Sequence, residues 1–304
     1  WSQPKVAKIA TTTGSANVLI FGGGYDTALD NASVFAPADN GGNDFLGNAI
    51  YIVDPLDGSL FLSISGTGSG ADIIIPDMHY SIPSSVSLVD SNGDGIQDRI
   101  YVGDTGGQLW RIDLGSDIIQ TGGLLAVASC VAPCTKTVIG KLASISDGSD
   151  SAQERRFFEA PSVVQVRDEL YAATGESDYD YVMIGSGYTA HPLNTLVNDR
   201  FYAFRDRYIS GMLDADNDHI SEVVDGYADG SGAGIDNSNL FDATLSVLNT
   251  LDATKQADGW YYDFTTAGEV GEKVLSSATS VAGGVTFTTF KPGAATVTNP
   301  CEGT

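Results

Sequence analysis

The residues best suited to chemistry are oxygen donors spaced along the segment DSNGDGIQD, residues 90–98. Side-chain oxygens stand at its first, third, fifth and ninth positions, and the seventh position adds a backbone carbonyl. The donors are Asp90, Asn92, Asp94, the carbonyl of Ile96, and Asp98. Calcium takes about six to eight oxygen ligands, and loops of the D-x-[DN]-x-[DN]-G type supply them from alternate residues. The spacing therefore predicts a calcium-binding loop.

A polar hairpin turn is the alternative interpretation of the same residues. Asn-Gly and Asp-Gly pairs favour such turns, and Gly93 and Gly95 permit the left-handed backbone angles of either structure. A plain turn does not need a carboxylate at the ninth position, and three carboxylates this close would repel one another without a cation. The twelfth position, where a full EF-hand loop carries glutamate, is Tyr101. We therefore expect a shortened nine-residue loop whose flanking segments need not be helices.

A second segment, DADNDHISE over residues 214–222, repeats the spacing. Its candidate donors are Asp214, Asp216, Asp218, the carbonyl of Ile220, and Glu222. The sixth position is His219, where a sharp calcium loop prefers glycine. The alternative is an acidic solvated loop, which is common in a chain as acidic as this one.

The composition agrees with a cation as the natural counterpart of the chain. The 304 residues are 42% hydrophobic, which is enough for a large core, and they carry a net charge of −24. Nucleic acid and anionic membrane surfaces would repel such a chain, so neither is expected as a partner. The sequence has no apolar run of the roughly 18 residues that a membrane-spanning helix needs. Direct insertion into a membrane is therefore not expected.

Three cysteines bear on the cellular compartment. Cys130 and Cys134 are close enough in sequence for a small hairpin disulfide, while Cys301 has no obvious mate. The spacing is not C-x-x-C, which makes zinc or redox chemistry a weak interpretation. A disulfide would indicate an oxidising compartment, and a pair of reduced thiols in a loop is the alternative.

The chain repeats a pattern of strands. Three of its prolines, Pro4, Pro83 and Pro161, lie 79 and 78 residues apart, and each opens an alternating strand. An apolar strand running into glycine follows each time, and then a third strand ending in aspartate. Such antiparallel units in series are typical of β-propeller blades, whereas a β-sandwich with irregular loops would not explain the even spacing.

These units set the predicted fold and domain organisation. They cover about residues 2–80, 81–158, 159–270 and 271–304, the last of which is incomplete. Propellers typically close with about four to eight blades, so we expect the sequence to be part of a longer chain. The predicted fold class is all-β, a modified β-propeller of which this chain holds a part. The segment at residues 90–98 then becomes the hairpin connection between the first two strands of the second unit.

One helix is expected outside the strand pattern. In NLFDATLSVLNTL, residues 239–251, the apolar side chains recur at helical spacing. The pattern predicts an amphipathic helix inserted in the third unit and packed on the outside of the propeller.

Several motifs together resemble a known family. They are VLIFGGGYD (18–26), RIYVGDTGGQLWRIDL (99–114) after the first acidic segment, MIGSGY (183–188), RFYAFRD (200–206), GWYYDF (259–264), and GEKVLSS (271–277) before VTFTTFKP and NPC. In this order they resemble the PilY-type (PilC-type) tip-associated adhesin and biogenesis factors of type IV pili. The match runs from Val18 to Cys301 and so covers nearly the whole chain.

The resemblance implies a function at the cell surface. Members of this family carry a modified seven-bladed propeller at the C-terminal end of a large secreted protein, located at the pilus tip or outer cell surface. This domain supports pilus extension against retraction and, in some relatives, adhesion. The implied partners are pilin and minor pilins, with a host or abiotic surface as a further one, and the implied outputs include twitching motility. The family's calcium loop maps onto Asp90, Asn92, Asp94 and Asp98, which makes calcium the expected cofactor.

One family feature is missing from this sequence. Some relatives carry an Arg-Gly-Asp tripeptide for host receptors, and this chain has none. Integrin-type binding is therefore not expected.

A pyrroloquinoline-quinone-type propeller dehydrogenase is the alternative from another class, because GDTGGQLWRID (103–113) also resembles the strand-ending repeats of those quinoprotein propellers. Such enzymes typically stack the cofactor on a tryptophan beside a vicinal disulfide, and this sequence has no adjacent cysteines. Neither H-E-x-x-H nor G-x-S-x-G occurs. The sequence thus predicts a protein that is not an enzyme, with Trp110 and Trp260 as packing residues rather than ligand-stacking ones.

Overall fold

The structure is a computed structural model that describes residues 1–27, 46–118, 135–146, 150–167, 178–209, 211–214, 218–221, 234–244, 258–265 and 271–293. Over these ranges the chain forms three large β-sheets and two small ones. The all-β class predicted from the sequence is confirmed. No helix in the described ranges is long and apolar enough to cross a membrane. Cys130, Cys134 and Cys301 lie outside these ranges.

The first two large sheets follow one another along the chain. The first sheet has the order β1 (Lys5–Thr11), β2 (Gly14–Gly22), β3 (Ala49–Val53), β4 (Leu60–Ser65) and β5 (Ile73–Ile74). The second sheet has the order β6 (Ser87–Val89), β7 (Arg99–Gly103), β8 (Gln108–Asp113) and β9 (Val138–Ser144). All pairs between β1 and β4, and between β6 and β9, are antiparallel.

The third sheet and two small ones complete the described fold. The third sheet contains β10 (Ser162–Arg167), β11 (Asp178–Gly185), β12 (Arg200–Asp206), β13 (Phe241–Asp242) and β14 (Gly259–Asp263), with β14 between β12 and β13. The small sheets pair β15 (Lys273–Val274) with β18 (Thr289–Phe290) and β16 (Thr279–Val281) with β17 (Gly284–Thr286). How these sheets divide into blade units stays a prediction.

The sheets pack face to face in the order of the chain. Isoleucines of the first sheet, among them Ile9 and Ile50, share one apolar core with Ile100 and Trp110 of the second. A further core joins the second sheet to the third, and a last one joins the third sheet to the small sheets. Burying both faces explains why every residue of β7 is buried, whereas β1 alternates between exposed and buried positions.

Gly103 of the second sheet lies close against Phe157 and the third-sheet residue Ile184. A Cβ atom added at this residue would lie well inside van der Waals contact with Cβ of Phe157 and near Ile184. We therefore expect Gly103→Ala to lower the free energy of unfolding by about 1–3 kcal/mol, the usual cost of overpacking a core. Urea unfolding measures this change. Gly284→Ala is the matched control, because an added Cβ there meets only ordinary contacts, and an equal loss in both variants would contradict the prediction.

The inserted helix is not confirmed. At its predicted start the chain forms a single 3-10 turn, Asn237–Asn239, whose amide groups are capped by Asp236. Leu240 then enters the core, and β13 pairs in parallel with β14. Over so few residues, the apolar positions of an extended edge strand can match those of the first turn of a helix. The sequence pattern therefore did not distinguish a strand from a helix here. Residues 245–251 of the predicted helix lie outside the described ranges.

Candidate metal centre

The segment at residues 90–98, hereafter the acidic loop, connects β6 to β7. Val89 and Arg99 are paired at the ends of the two strands, so the loop is the hairpin connection predicted from the sequence. Its residues are exposed or half-buried. The hairpin thus presents the predicted donors at the surface of the second sheet.

The carboxylate of Asp90 organises the first half of the acidic loop. It accepts hydrogen bonds from the backbone N–H groups of Gly93 (2.7 Å), Asp94 (3.1 Å) and Gly95 (2.8 Å). Gly93 and Gly95 have φ angles of 78° and 82°, a left-handed conformation that glycine adopts without strain. The hydrogen bond from Gly95 is the main cause that holds the pKa of Asp90 below its usual value. Asp90 therefore stays ionised well into the acidic range.

The other donors of the loop also accept local hydrogen bonds. The side chain of Asn92 accepts from the N–H of Asp94 (2.9 Å), and Asp94 accepts from the N–H of Ile96 (2.8 Å). Asp98 closes the loop, because its Oδ2 accepts from both the N–H (2.8 Å) and the hydroxyl (2.6 Å) of Ser91. The chain is thereby wrapped into a compact turn by its own carboxylates.

The donors fit calcium in kind, but their convergence on one point is not shown. Three carboxylates, an amide oxygen and a backbone carbonyl are the hard ligands that calcium prefers. A carboxylate oxygen has two lone pairs, so an oxygen that accepts one hydrogen bond, such as Oδ2 of Asp90, keeps one lone pair for a metal. Among the residues that the structure describes, no group of three or more histidine, cysteine, aspartate or glutamate side chains is arranged to hold a metal ion. Calcium at this loop therefore stays a prediction.

The second predicted loop is described only in part, since Asp216 and Glu222 lie outside the described ranges. Asp214 accepts from the N–H groups of Asp218 (3.1 Å) and His219 (3.3 Å). It also forms an ion pair with Lys136 at 3.4 Å. His219 adopts a φ of 68°, which is uncommon outside glycine.

A cleft of about 430 Å³ brings the two acidic segments together. Its lining includes Asn92 and Asp98 together with Lys136 and Asp214. Ile220, by contrast, is bonded to β9 through the bridge at Ile139 and is absent from the cleft wall. The structure therefore brings two predicted donors of the first segment to the same cleft as Asp214, the first residue of the second segment.

Sequence reasoning missed a group of buried charges next to the acidic loop. This charge cluster consists of Arg99, Tyr101, Arg111 and Asp113 of the second sheet and Asp180 and Asp206 of the third. Five of the six side chains are at most 3% exposed, and Asp113 is 15% exposed. In the sequence, β8 and β12 each end in an aspartate, Asp113 and Asp206. These aspartates marked the repeat, but they did not indicate which residues they would contact.

The contacts of the charge cluster cross from sheet to sheet. Arg111 donates to both oxygens of Asp206 at 2.8 Å and to Asp113 at 2.8 and 2.7 Å. The Tyr101 hydroxyl lies 2.9 Å from Asp180 and 2.6 Å from Asp206. Burial alone would raise the pKa of Asp113, but Arg111 and Arg99 hold it below its usual value. Asp113 therefore stays charged, and the cluster joins two sheets by polar contacts inside an apolar core.

The tryptophans lie in packed surroundings. Trp110 is 2% exposed within the core between the first and second sheets, and its indole N–H donates to Asp104 at 2.8 Å. Burial raises the pKa of Asp104 to about 7, although the hydrogen bond from Trp110 opposes the rise. Trp260 packs beside Phe201, with ring centroids 6.1 Å apart. These contacts agree with packing roles, and the prediction that the protein is not an enzyme remains untested.

Comparison with known proteins bears on the fold. No protein-family model matches the sequence, and no curated protein resembles it significantly. Among solved structures, the C-terminal domain of PilY1 from Pseudomonas aeruginosa matches with a TM-score of 0.57 and 20% identity. The match covers 96% of this chain and 56% of that domain, so the chain spans just over half of its structural neighbour. The propeller-like, all-β fold predicted from the sequence is thereby confirmed.

Proposed function

We propose that this chain is a calcium-binding, propeller-like domain that acts with type IV pili. The observation that carries the proposal is the acidic loop, which wraps its backbone around an ionised Asp90 and closes on Asp98. Support for the pilus comes from the fold shared with the PilY1 C-terminal domain and from the ordered sequence motifs.

Calcium suits this loop better than magnesium. Magnesium demands a near-ideal octahedron and gives up its water reluctantly, whereas calcium accepts six to eight oxygens in flexible geometry. A short loop with two glycines in the left-handed conformation offers flexible, closely spaced oxygens. Isothermal titration of the purified domain tests the proposal. We expect calcium to bind with a Kd between about 10⁻⁶ and 10⁻³ M and magnesium to bind more weakly; equal binding of both ions, or of neither, would contradict it.

The proposed partners are pilin and minor pilins, with a host or abiotic surface as a further one. The proposed location is extracellular, at the pilus tip or outer cell surface, after passage through the periplasm. There the domain supports pilus extension, adhesion and twitching motility. Calcium occupancy acts as a switch, because an ion neutralises three carboxylates that otherwise repel one another within the turn.

Cells that carry substitutions in the full-length protein test this role. We expect Asp98→Ala and Asp98→Lys to change the number of surface pili and the rate of twitching in opposite directions, because lysine mimics the added positive charge and alanine does not. Pilus counts and motility assays measure both. Asp57→Ala is the matched control, since Asp57 also caps an exposed turn, by accepting from the N–H of Ser59 at 2.9 Å.

A purely structural ion is the competing explanation. It predicts that calcium is never released and that its loss only destabilises the domain. Normal pili and motility in both Asp98 variants, together with loss of calcium from the purified variant domains, would remove the regulatory role and leave the loop a stabilising element.

A further inference from the structure

Three consecutive residues at the end of the acidic loop contact three different sheets. The N–H of Gln97 donates to the carbonyl of Lys8 in the first sheet at 2.7 Å. The carbonyl of Asp98 accepts from the N–H of Leu114 at the end of β8, also at 2.7 Å. Arg99 extends its side chain to Asp180 in the third sheet. The loop therefore ends where the three sheets meet.

Arg99 is held at this point on several sides. Its Nε donates to Asp113 at 3.0 Å, one Nη contacts Asp180, and the other donates to the carbonyl of Ile209 at 3.1 Å. Asp113 is in turn fixed by Arg111 and by the N–H of Met212 at 2.8 Å. The guanidinium is 3% exposed, so it cannot change position without disturbing the charge cluster.

These anchors fix the backbone on both sides of Asp98. Arg99 directly follows Asp98 in the sequence. Leu114, whose N–H donates to the carbonyl of Asp98, directly follows Asp113. The ion pair between Arg99 and Asp113 spans opposite residues of β7 and β8. The position of the closing carboxylate in the loop is thereby set from within the core.

We propose that Arg99 and Asp180 are positioning residues for the cation site of the acidic loop, and that through them the site is coupled to the interface between the second and third sheets. This inference rests on the proposed function and adds residues that are not ligands. A ligand held in place before binding loses less conformational freedom when the ion arrives, so weakening the anchor lowers the affinity for the ion. Coupling is reciprocal, so the bound ion also stabilises the sheet interface.

Calcium titration of purified variants tests the proposal. We expect Asp180→Asn and Arg99→Lys each to weaken calcium binding about fivefold or more, the usual lower range for coupled sites. Asparagine keeps the shape of Asp180 without its charge, and lysine keeps the charge of Arg99 without its fork of donors. Measuring both variants makes the test independent of whether either one alone folds. Circular dichroism and thermal melts establish that each titrated variant is folded.

Asp199→Asn is the matched control. Asp199 is another buried carboxylate of the third sheet region, where it accepts from the hydroxyl of Ser186 at 2.7 Å. Within the described ranges it forms no hydrogen bond or ion pair with the charge cluster. We expect the calcium affinity of this variant to be unchanged.

The outcomes distinguish a positioning role of Arg99 and Asp180 from a general loss of stability. Weaker binding by the Asp180 and Arg99 variants, with unchanged binding by the Asp199 variant, supports the coupling. Unchanged calcium affinity in all three variants overturns the proposal. A loss of affinity in all three variants that is proportional to their loss of stability overturns it as well. Failure of the unaltered protein to bind calcium would overturn the proposed function itself, and the coupling with it.

Discussion

Replacing Asp90 with alanine is expected to abolish calcium binding at the acidic loop while the sheets stay folded. Asp90 is the first predicted ligand, and its carboxylate also gathers three N–H groups that shape the turn. Calcium affinity depends strongly on ligand charge, so we expect a loss of about 100-fold or more. Asp90 is half-buried at the surface and lies outside the apolar cores, so the melting temperature in the absence of calcium should change little.

Isothermal titration and calcium-dependent melting curves measure this effect. Asp57→Ala, which removes an exposed turn carboxylate elsewhere in the first sheet region, should bind calcium as the unaltered protein does. Unchanged affinity in the Asp90 variant would show that the acidic loop is a polar turn and not a metal site. If that variant is unfolded without calcium, the sheets depend on the acidic loop for their stability, which would contradict the prediction.

Removal of Asp206 should cause the largest loss of stability. Its carboxylate is fully buried, accepts two hydrogen bonds from Arg111 and lies 2.6 Å from the Tyr101 hydroxyl. Asp206→Ala leaves a buried guanidinium with one partner fewer, and breaking a buried pair in this way typically costs about 3–5 kcal/mol. Urea unfolding of the purified domain measures the difference.

An exposed ion pair of the same sheet provides the comparison. Asp178 pairs with Arg167 at 3.7 Å, and both side chains are more than half exposed. Asp178→Ala should therefore cost less than about 1 kcal/mol. If the two variants lose similar stability, the charge cluster does not hold the second and third sheets together in the way its contacts indicate.

The sequence predicted the features that local patterns determine. The even spacing of Pro4, Pro83 and Pro161 indicated repeated sheets. The acidic loop was placed correctly between two strands, because Asn-Gly and Asp-Gly pairs and flanking apolar runs are short-range signals.

Features that depend on distant residues were not predictable in the same way. Arg99 and Asp180 are 81 residues apart in sequence, and no local pattern indicates that they meet. A charged side chain in a strand usually faces solvent, so Arg111 and Asp206 gave no sign of burial. The predicted helix is not confirmed over its first residues, because Phe241 and Asp242 are extended there and pair with β14.

The position of the charge cluster also determines how the domain responds to mechanical force. Arg99 and Arg111 on neighbouring strands of the second sheet contact Asp180 and Asp206 on neighbouring strands of the third. A force that pulls the two sheets apart would act on both ion pairs at once, because the two pairs lie side by side between the sheets. Rupture would then expose two guanidinium groups and two carboxylates together. Under tension such an interface stays closed up to a threshold and then opens abruptly, so the two sheets transmit pulling forces below that threshold as one body.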